Sequence, residues 1–276
     1  MKIMNIMRNK GVPENESKPF YNFNPYEAKD DIIKWIRDWF ESNGNDCNAV
    51  IGISGGKDST IVAALCVEAL GKNRVVGVLM PQGEQADIKV AKEVVNWLGI
   101  RSCEVNIENS VNAIVNPIKY FNDIEFSVQA KTNLPARIRM ATLYAIAQSI
   151  NGRVVGTSNL SETVVGYYTL GGDSVSAMFP IKDFTVTEVQ MIGRMALYLP
   201  EHWVYKTPED GLSGKTDEDN LGFSYDVLDN YIRTGICEDE TIRYKIETLA
   251  KNSSFKLFMP EKFNSNLPVF VDNYMI

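Results

Sequence analysis

The chain has 276 residues, with 28 Lys and Arg against 35 Asp and Glu, a formal charge of −7 with its one histidine neutral. At 45% hydrophobic and 23% charged it is composed like a packed globular protein, which excludes a disordered or collagen-like chain. The acidic balance argues against a nucleic-acid partner, and no apolar run approaches the roughly 20 residues that span a bilayer, so no membrane partner and a cytoplasmic location are expected.

Residues 1–24 are polar and read as an N-terminal arm, leaving 25–276 as one domain. From Tyr26 to Phe40 the apolar residues Ala28, Ile32, Ile33, Ile36 and Phe40 recur at helical spacing, and Gly44 ends the helix. Four short β-branched runs follow at 49–53, 74–79, 102–107 and 153–155, separated by helical stretches at 59–70, 85–98 and 134–150. Strands apolar throughout, alternating with helices, predict a doubly wound parallel α/β sheet with helices on both faces. Beyond Pro180 the strand signal fades; helices are expected at 186–197, 224–233 and 239–251, with a long surface loop at 206–222 whose Asp217–Asp219 run is solvated. Trp35 and Trp39 read as core packing and His202 as a surface residue. Cys47, Cys66, Cys103 and Cys237 form no C-x-x-C pair, so structural zinc and disulfides are not expected, and the thiols are read as reduced and mostly packed.

The first strand ends in Gly52-Ile53-Ser54-Gly55-Gly56-Lys57-Asp58-Ser59 and runs into a helix. Glycines at such a turn let the backbone take positive φ and approach a ligand closely, while the helix N-terminus presents free N–H groups to an anion. Phosphate is the expected guest. A Walker A loop fails here, because Ile51 stands where it needs glycine and Asp58 where it needs Ser or Thr; a G-x-G-x-x-G fingerprint fails at Ser54 and Lys57.

Ser54 to Ser59 does match S-G-G-x-D-S, and so resembles the pyrophosphate loop of the N-type ATP pyrophosphatases. The resemblance implies that this loop holds the β,γ-pyrophosphate of ATP, with Asp58 on Mg²⁺ and the Ser54 and Ser59 hydroxyls on the leaving group. Further blocks narrow it: Lys131 to Met140 (KTNLPARIRM), Val155 to Glu162, Gly166 to Thr169, Gly172-Asp173, Pro180, the 206–222 loop and Ser224-Tyr225-Asp226 are similar, in order, to ammonia-dependent NAD synthetase. The match runs from about Tyr26 to Met259.

That resemblance implies roles residue by residue. Thr157 contacts the adenosine of ATP, Glu162 is the second Mg²⁺ ligand, and Arg137, with Asn133, Asp173 and Lys256, binds deamido-NAD. Two carboxylates beside polyphosphate suit a hard cation, and a guanidinium suits phosphate or carboxylate. Four positions depart from the family pattern: Leu170 replaces a basic residue, Ala177 an Asp, Val186 an ATP-site lysine, and Glu209 a Ser or Thr; Lys182 or Lys256 could supply the missing positive charge. The implied reaction is amidation of deamido-NAD by free ammonia through an acyl-adenylate, with catalytic Asp58 and Glu162, ATP as co-substrate, and AMP and pyrophosphate released. The implied assembly is a homodimer built on the 134–150 helix. The alternatives are an adenylating amide ligase for another carboxylate, or a silent nucleotide-binding protein.

Overall fold

The computed structural model describes residues 22–85, 88–118, 120, 121, 124–205 and 216–257. Helix α1 (Pro25–Gly44) starts where the Asn24 side chain accepts from the Tyr26 and Glu27 N–H groups, and the predicted stripe Ile32, Ile33, Ile36 and Phe40 is its buried face. There follow β1 (Asn48–Gly52), α2 (Lys57–Leu70), β2 (Val75–Leu79), α3 (Ile88–Leu98), β3 (Arg101–Glu104), α4 (Glu108–Ile118), α5 (Val128–Ser149) and β4 (Gly152–Val154). The strands form one parallel sheet in the order β3-β2-β1-β4, with Ala49 opposite Val75 and Val50 opposite Val154.

Successive side chains of a strand point to opposite faces, and both faces of the two central strands are covered. Ala49, Ile51, Ile53, Val75 and Leu79 join α1, α2 and α3 in one core cluster. Val50, Val76 and Val78 join Val111, Met140, Leu143 and Val154 in another, under α4 and α5. This is the doubly wound sheet that the apolar runs predict. Gly77 makes it compact: a Cβ there would stand 2.9 Å from Val95 Cγ1, so α3 lies directly on β2.

Two expectations are corrected. The third strand is not apolar throughout. Its paired residues are the exposed Arg101, Ser102, Cys103 and Glu104, an edge protected by charge, while buried Ile107 lies beyond the strand. The helix expected from Leu134 begins six residues earlier at Val128, capped by Ser127, and runs through Pro135 with the loss of one i→i−4 bond.

After β4 come α6 (Leu160–Val165), α7 (Val186–Met191), which continues into a π-helical turn at Ile192–Ala196, then α8 (Glu201–Val204), α9 (Asp217–Leu221), α10 (Tyr225–Thr234) and α11 (Glu240–Ser253). Val165, Val186, Leu221, Phe223, Leu228 and Ile246 form a third core cluster among them. Trp39 packs edge-on against Phe40 as expected, whereas Trp35 is exposed. His202 lies on the surface. Cys47 and Cys66 are buried, but Cys103 is exposed. The arm to residue 21, Glu209 and the 206–215 part of the predicted loop lie outside the described residues.

Candidate active site

Ile53 keeps β1 paired by donating to the Val78 carbonyl at 2.9 Å, and the chain then turns through Ser54, Gly55 and Gly56 into α2. Gly55 sits at φ +82°, a left-handed conformation that favours glycine. The turn is preformed by its own side chains. Ser54 Oγ accepts from Gly56 N at 3.2 Å, and Ser59 and Thr60 hydroxyls donate to the Gly56 carbonyl at 3.1 and 2.8 Å. The first-turn N–H groups of the 14-residue helix α2 are thereby held at the mouth of the loop.

The loop's two charged residues diverge. Lys57 is only 4% exposed and lies over the Tyr225 ring, its Nζ 2.9 Å from Asp58 Oδ2; Asp58 itself faces outward and accepts from Asn159 Nδ2 at 3.4 Å. The same Asn159 caps α6, where its side chain accepts from Glu162 N at 3.0 Å in a reciprocal capping box. One amide thus ties the first-loop carboxylate to the helix that carries the second. Desolvation, then the negative Asp58, push the Glu162 carboxyl up to about 8, against the pull of Lys57. Two carboxylates on one cleft, the charge of Asp58 raising Glu162, fit a divalent cation, which relieves the same repulsion. Among the described residues no three His, Cys, Asp or Glu side chains close into a metal cage, and a shell of one or two carboxylates completed by substrate phosphates and water is the usual one for Mg²⁺.

Asp217 and Tyr225 were not singled out as site residues, yet they back this cluster. Asp217 is buried at the start of α9 rather than solvated, within 3.4 Å of the Tyr225 hydroxyl, and its charge acts on Lys57. Burial, followed by the negative Glu162, Asp217 and Asp58, holds the Tyr225 hydroxyl strongly protonated.

A cleft of about 410 Å³ opens at the carboxyl ends of β1, β2 and β4. β1 lies between β2 and β4, so the chain runs outward in both directions from this point, and such a switch point is where open α/β sheets place ligands. Its lining is mixed: Ser54, Gly56, Asp58, Ser59, Thr157 and Glu162 bring polar groups, and Val78, Met80, Ile88 and Leu143 bring apolar ones. Gly52, Ile53 and Asp173 also line it, whereas Gly55 and the buried Lys57 do not. Gln85 and Arg139 line it too and were missed by sequence reasoning. The spacing of Ala136, Arg139, Met140 and Leu143 on one face of α5 was the signal that could have found Arg139.

The residues read as acceptor-binding gather elsewhere, around the 166–173 turn. Asn133 Oδ1 accepts from the Thr169 hydroxyl at 3.0 Å, Arg137 Nε donates to the Leu170 carbonyl at 3.2 Å, and Asp173 Oδ1 accepts from Thr169 N at 2.6 Å. Lys256 Nζ donates to the Gly166 and Tyr168 carbonyls at 2.8 and 2.9 Å. Asp173 alone of the four joins the turn to the cleft. Of the departures, Leu170 is 47% exposed on this turn, Ala177 is exposed and pairs through its N–H with the Val154 carbonyl, and Val186 is in the third core cluster. Lys182 stacks 4.3 Å above the Phe179 ring, and a Cβ on cleft-lining Gly156 would collide with that ring.

Beside this geometry, a self-bonded glycine turn and two carboxylates at one cleft, stand the comparisons to known proteins. A family model described as NAD synthase matches residues 28–264. The chain is 39% identical over 243 residues to the NH(3)-dependent NAD(+) synthetase of Pyrococcus furiosus, covering 83% of this chain and 92% of that one. It is 33% identical to that of Carboxydothermus hydrogenoformans, covering 85% and 96%. Among solved structures it is similar to NMN synthetase from Francisella tularensis (TM-score 0.81, 28% identity, covering 88% of this chain and all of that one). It is also similar to the NH3-dependent NAD synthetase of Campylobacter jejuni (TM-score 0.71, 25% identity, covering 88% and 100%). The chain therefore belongs to the NAD synthase family, whose members are ligases.

Proposed function

We propose that the protein joins free ammonia to the carboxylate of deamido-NAD at the expense of ATP, releasing AMP and pyrophosphate. The observation that carries this is the convergence of the S-G-G-K-D-S loop, Asp58 and Glu162 on one cleft. In this reading the apolar lining takes adenosine, Thr157 contacts it, and the Ser54–Ser59 loop takes the β- and γ-phosphates on its N–H and hydroxyl groups. Asp58 and Glu162 would hold Mg²⁺, which when bound neutralises phosphate charge. The acceptor carboxylate displaces pyrophosphate from the α-phosphorus, and ammonia then displaces AMP from the acyl-adenylate. No side chain acts as a nucleophile; alignment and charge stabilisation carry the rate.

Deamido-NAD is favoured as acceptor by the names of the curated relatives and by retention of Asn133, Arg137, Asp173 and Lys256 around one turn. A second reading, a mononucleotide acid, is favoured by the higher TM-score to the Francisella tularensis NMN synthetase and by the missing charges at Leu170 and Ala177. A charged hydrogen bond contributes about 1.5–3 kcal/mol, so the two losses together are about 3–6 kcal/mol and weaken acceptor binding unless compensated. The test is a panel of carboxylates with Mg-ATP and ammonium. NAD and AMP in equal amounts from deamido-NAD is the expected result, with a raised KM. No NAD, with efficient amidation of the mononucleotide acid, would establish the second reading; ADP as product would overturn both.

A further inference from the structure

The A-R-I-R-M stretch of α5 sends its two arginines to different places. Arg137 reaches the 166–173 turn, while Arg139 lines the cleft. Arg139 Nε donates to the Met80 carbonyl at 3.1 Å, and among the described residues its two Nη groups have no hydrogen-bond partner and its charge no ion pair. Every other charged side chain lining the cleft among the described residues, namely Asp58, Glu162 and Asp173, is a carboxylate. The guanidinium is half-buried, and desolvation lowers its pKa from the ordinary arginine value. A partly desolvated cation without a counter-charge is costly unless an anion arrives to meet it. Fixed at Nε by a backbone carbonyl, the fork keeps its remaining donors for such an anion.

The anchor also says where along the cleft the anion sits. Met80 directly follows β2, and its side-chain Cε lies 3.2 Å from where a Cβ on Gly52 would stand, so the residue that anchors Arg139 is a wall residue adjoining the end of β1, from which the glycine loop starts. An adenosine on that wall with its outer phosphates in the loop has its first phosphate at this junction. We propose that Arg139 is a binding residue for the anionic oxygens at the reacting centre: those of the nucleotide α-phosphate, or of the carboxylate that attacks it. The inference rests on the nucleotide reading of the cleft.

The test compares adenosine and AMP by isothermal titration on wild type, Arg139→Gln and Arg139→Lys, with KM for the acceptor measured alongside and thermal unfolding as the check on folding. The Gln variant is expected to bind AMP about 10- to 100-fold more weakly, the range of a charge-assisted contact, with adenosine unchanged. The Lys variant recovers part of the loss, because it keeps the charge without the fork; if Gln does not fold, Lys alone carries the comparison. Unchanged AMP affinity with acceptor KM raised by a similar factor assigns the contact to the carboxylate. Equal loss of adenosine and AMP, or no change in either nucleotide or acceptor, overturns the proposal. A wild type that binds neither adenosine nor AMP overturns the nucleotide reading itself, an outcome distinct from variants that bind AMP as well as wild type does.

Discussion

At the scale of single residues the loop separates two tasks that adjacent side chains perform. Asp58 faces the cleft, while its neighbour Lys57 is buried as its counter-charge, with 3% of its side chain exposed against 17% for Asp58. Removing one partner of a buried pair costs about 3–5 kcal/mol, because the other is left uncompensated. Asp58→Asn is therefore expected to lower stability by an amount of that order and to abolish AMP formation. Adding Lys57→Met is expected to restore most of the stability and none of the turnover. Chemical unfolding and an AMP assay on the three proteins check this, and turnover within tenfold of wild type in Asp58→Asn would remove Asp58 from the metal site. The thiols give a second residue-scale prediction. Burial pushes Cys66 up to about 12, whereas Cys103 stands exposed on the edge strand. At pH 8 a thiol reagent is expected to modify Cys103 in the native protein and Cys66 only after unfolding, as peptide mapping would show.

At the scale of elements, Asp229 on α10 holds three helices in register. It accepts from the Ser161 hydroxyl on α6 and, at 2.8 Å, from Thr187 N on α7, and Ser161 in turn accepts from Val186 N at 3.0 Å. Asp229→Asn cannot accept both bonds, so a loss of about 1–3 kcal/mol is expected. Burial holds the Asp229 carboxyl above its ordinary 3.8. A carboxyl raised on folding contributes stability fully below the unfolded value and loses it as pH rises through the folded one, so the gap between wild type and variant should be widest below pH 3.8 and narrow as pH rises above it. Urea unfolding across that range tests the sign; a gap that widens with pH contradicts it. Such contacts mark where the sequence stops being readable. The central strands, α1 and the S-G-G-K-D-S loop were legible because periodicity and local backbone demands determine them. The burial of Asp217 was not, because it reads as a solvated acid until Tyr225 and Lys57 are beside it, whereas the start of α5 at Val128 was missed although its cap, Ser127, is a local signal. Arg137 was legible through family resemblance and Arg139 was not, although the helical spacing of 136, 139, 140 and 143 carried the information.

At the scale of the whole molecule, the cleft draws on both halves of the chain. β1, β2 and α5 supply its walls, β4 and α6 supply Thr157 and Glu162, and Asp217 and Tyr225 of the last helices brace Lys57 from behind. Tyr120, Phe121, Ile124 and Val128 are exposed beside α5, and along the helix Leu134, Ile138, Tyr144 and Ile146 are only partly covered by the second core cluster. Large apolar side chains grouped in this way are uncommon on a monomer's surface, whereas scattered ones are ordinary. We propose that this face pairs with a second copy of the chain, as expected from the 134–150 helix. An obligate interface of this kind buries about 2,000 Å² or more in total, and a two-fold axis would present each substitution twice. Sedimentation equilibrium at micromolar concentration is expected to give the dimer mass. Val128→Glu, at a position 79% exposed in the monomer and therefore harmless to its folding, is expected to shift the mass toward monomer while leaving the far-ultraviolet circular dichroism unchanged. Wild type sedimenting as monomer, or a Glu variant as dimeric as wild type, would place the partner elsewhere or dispense with it.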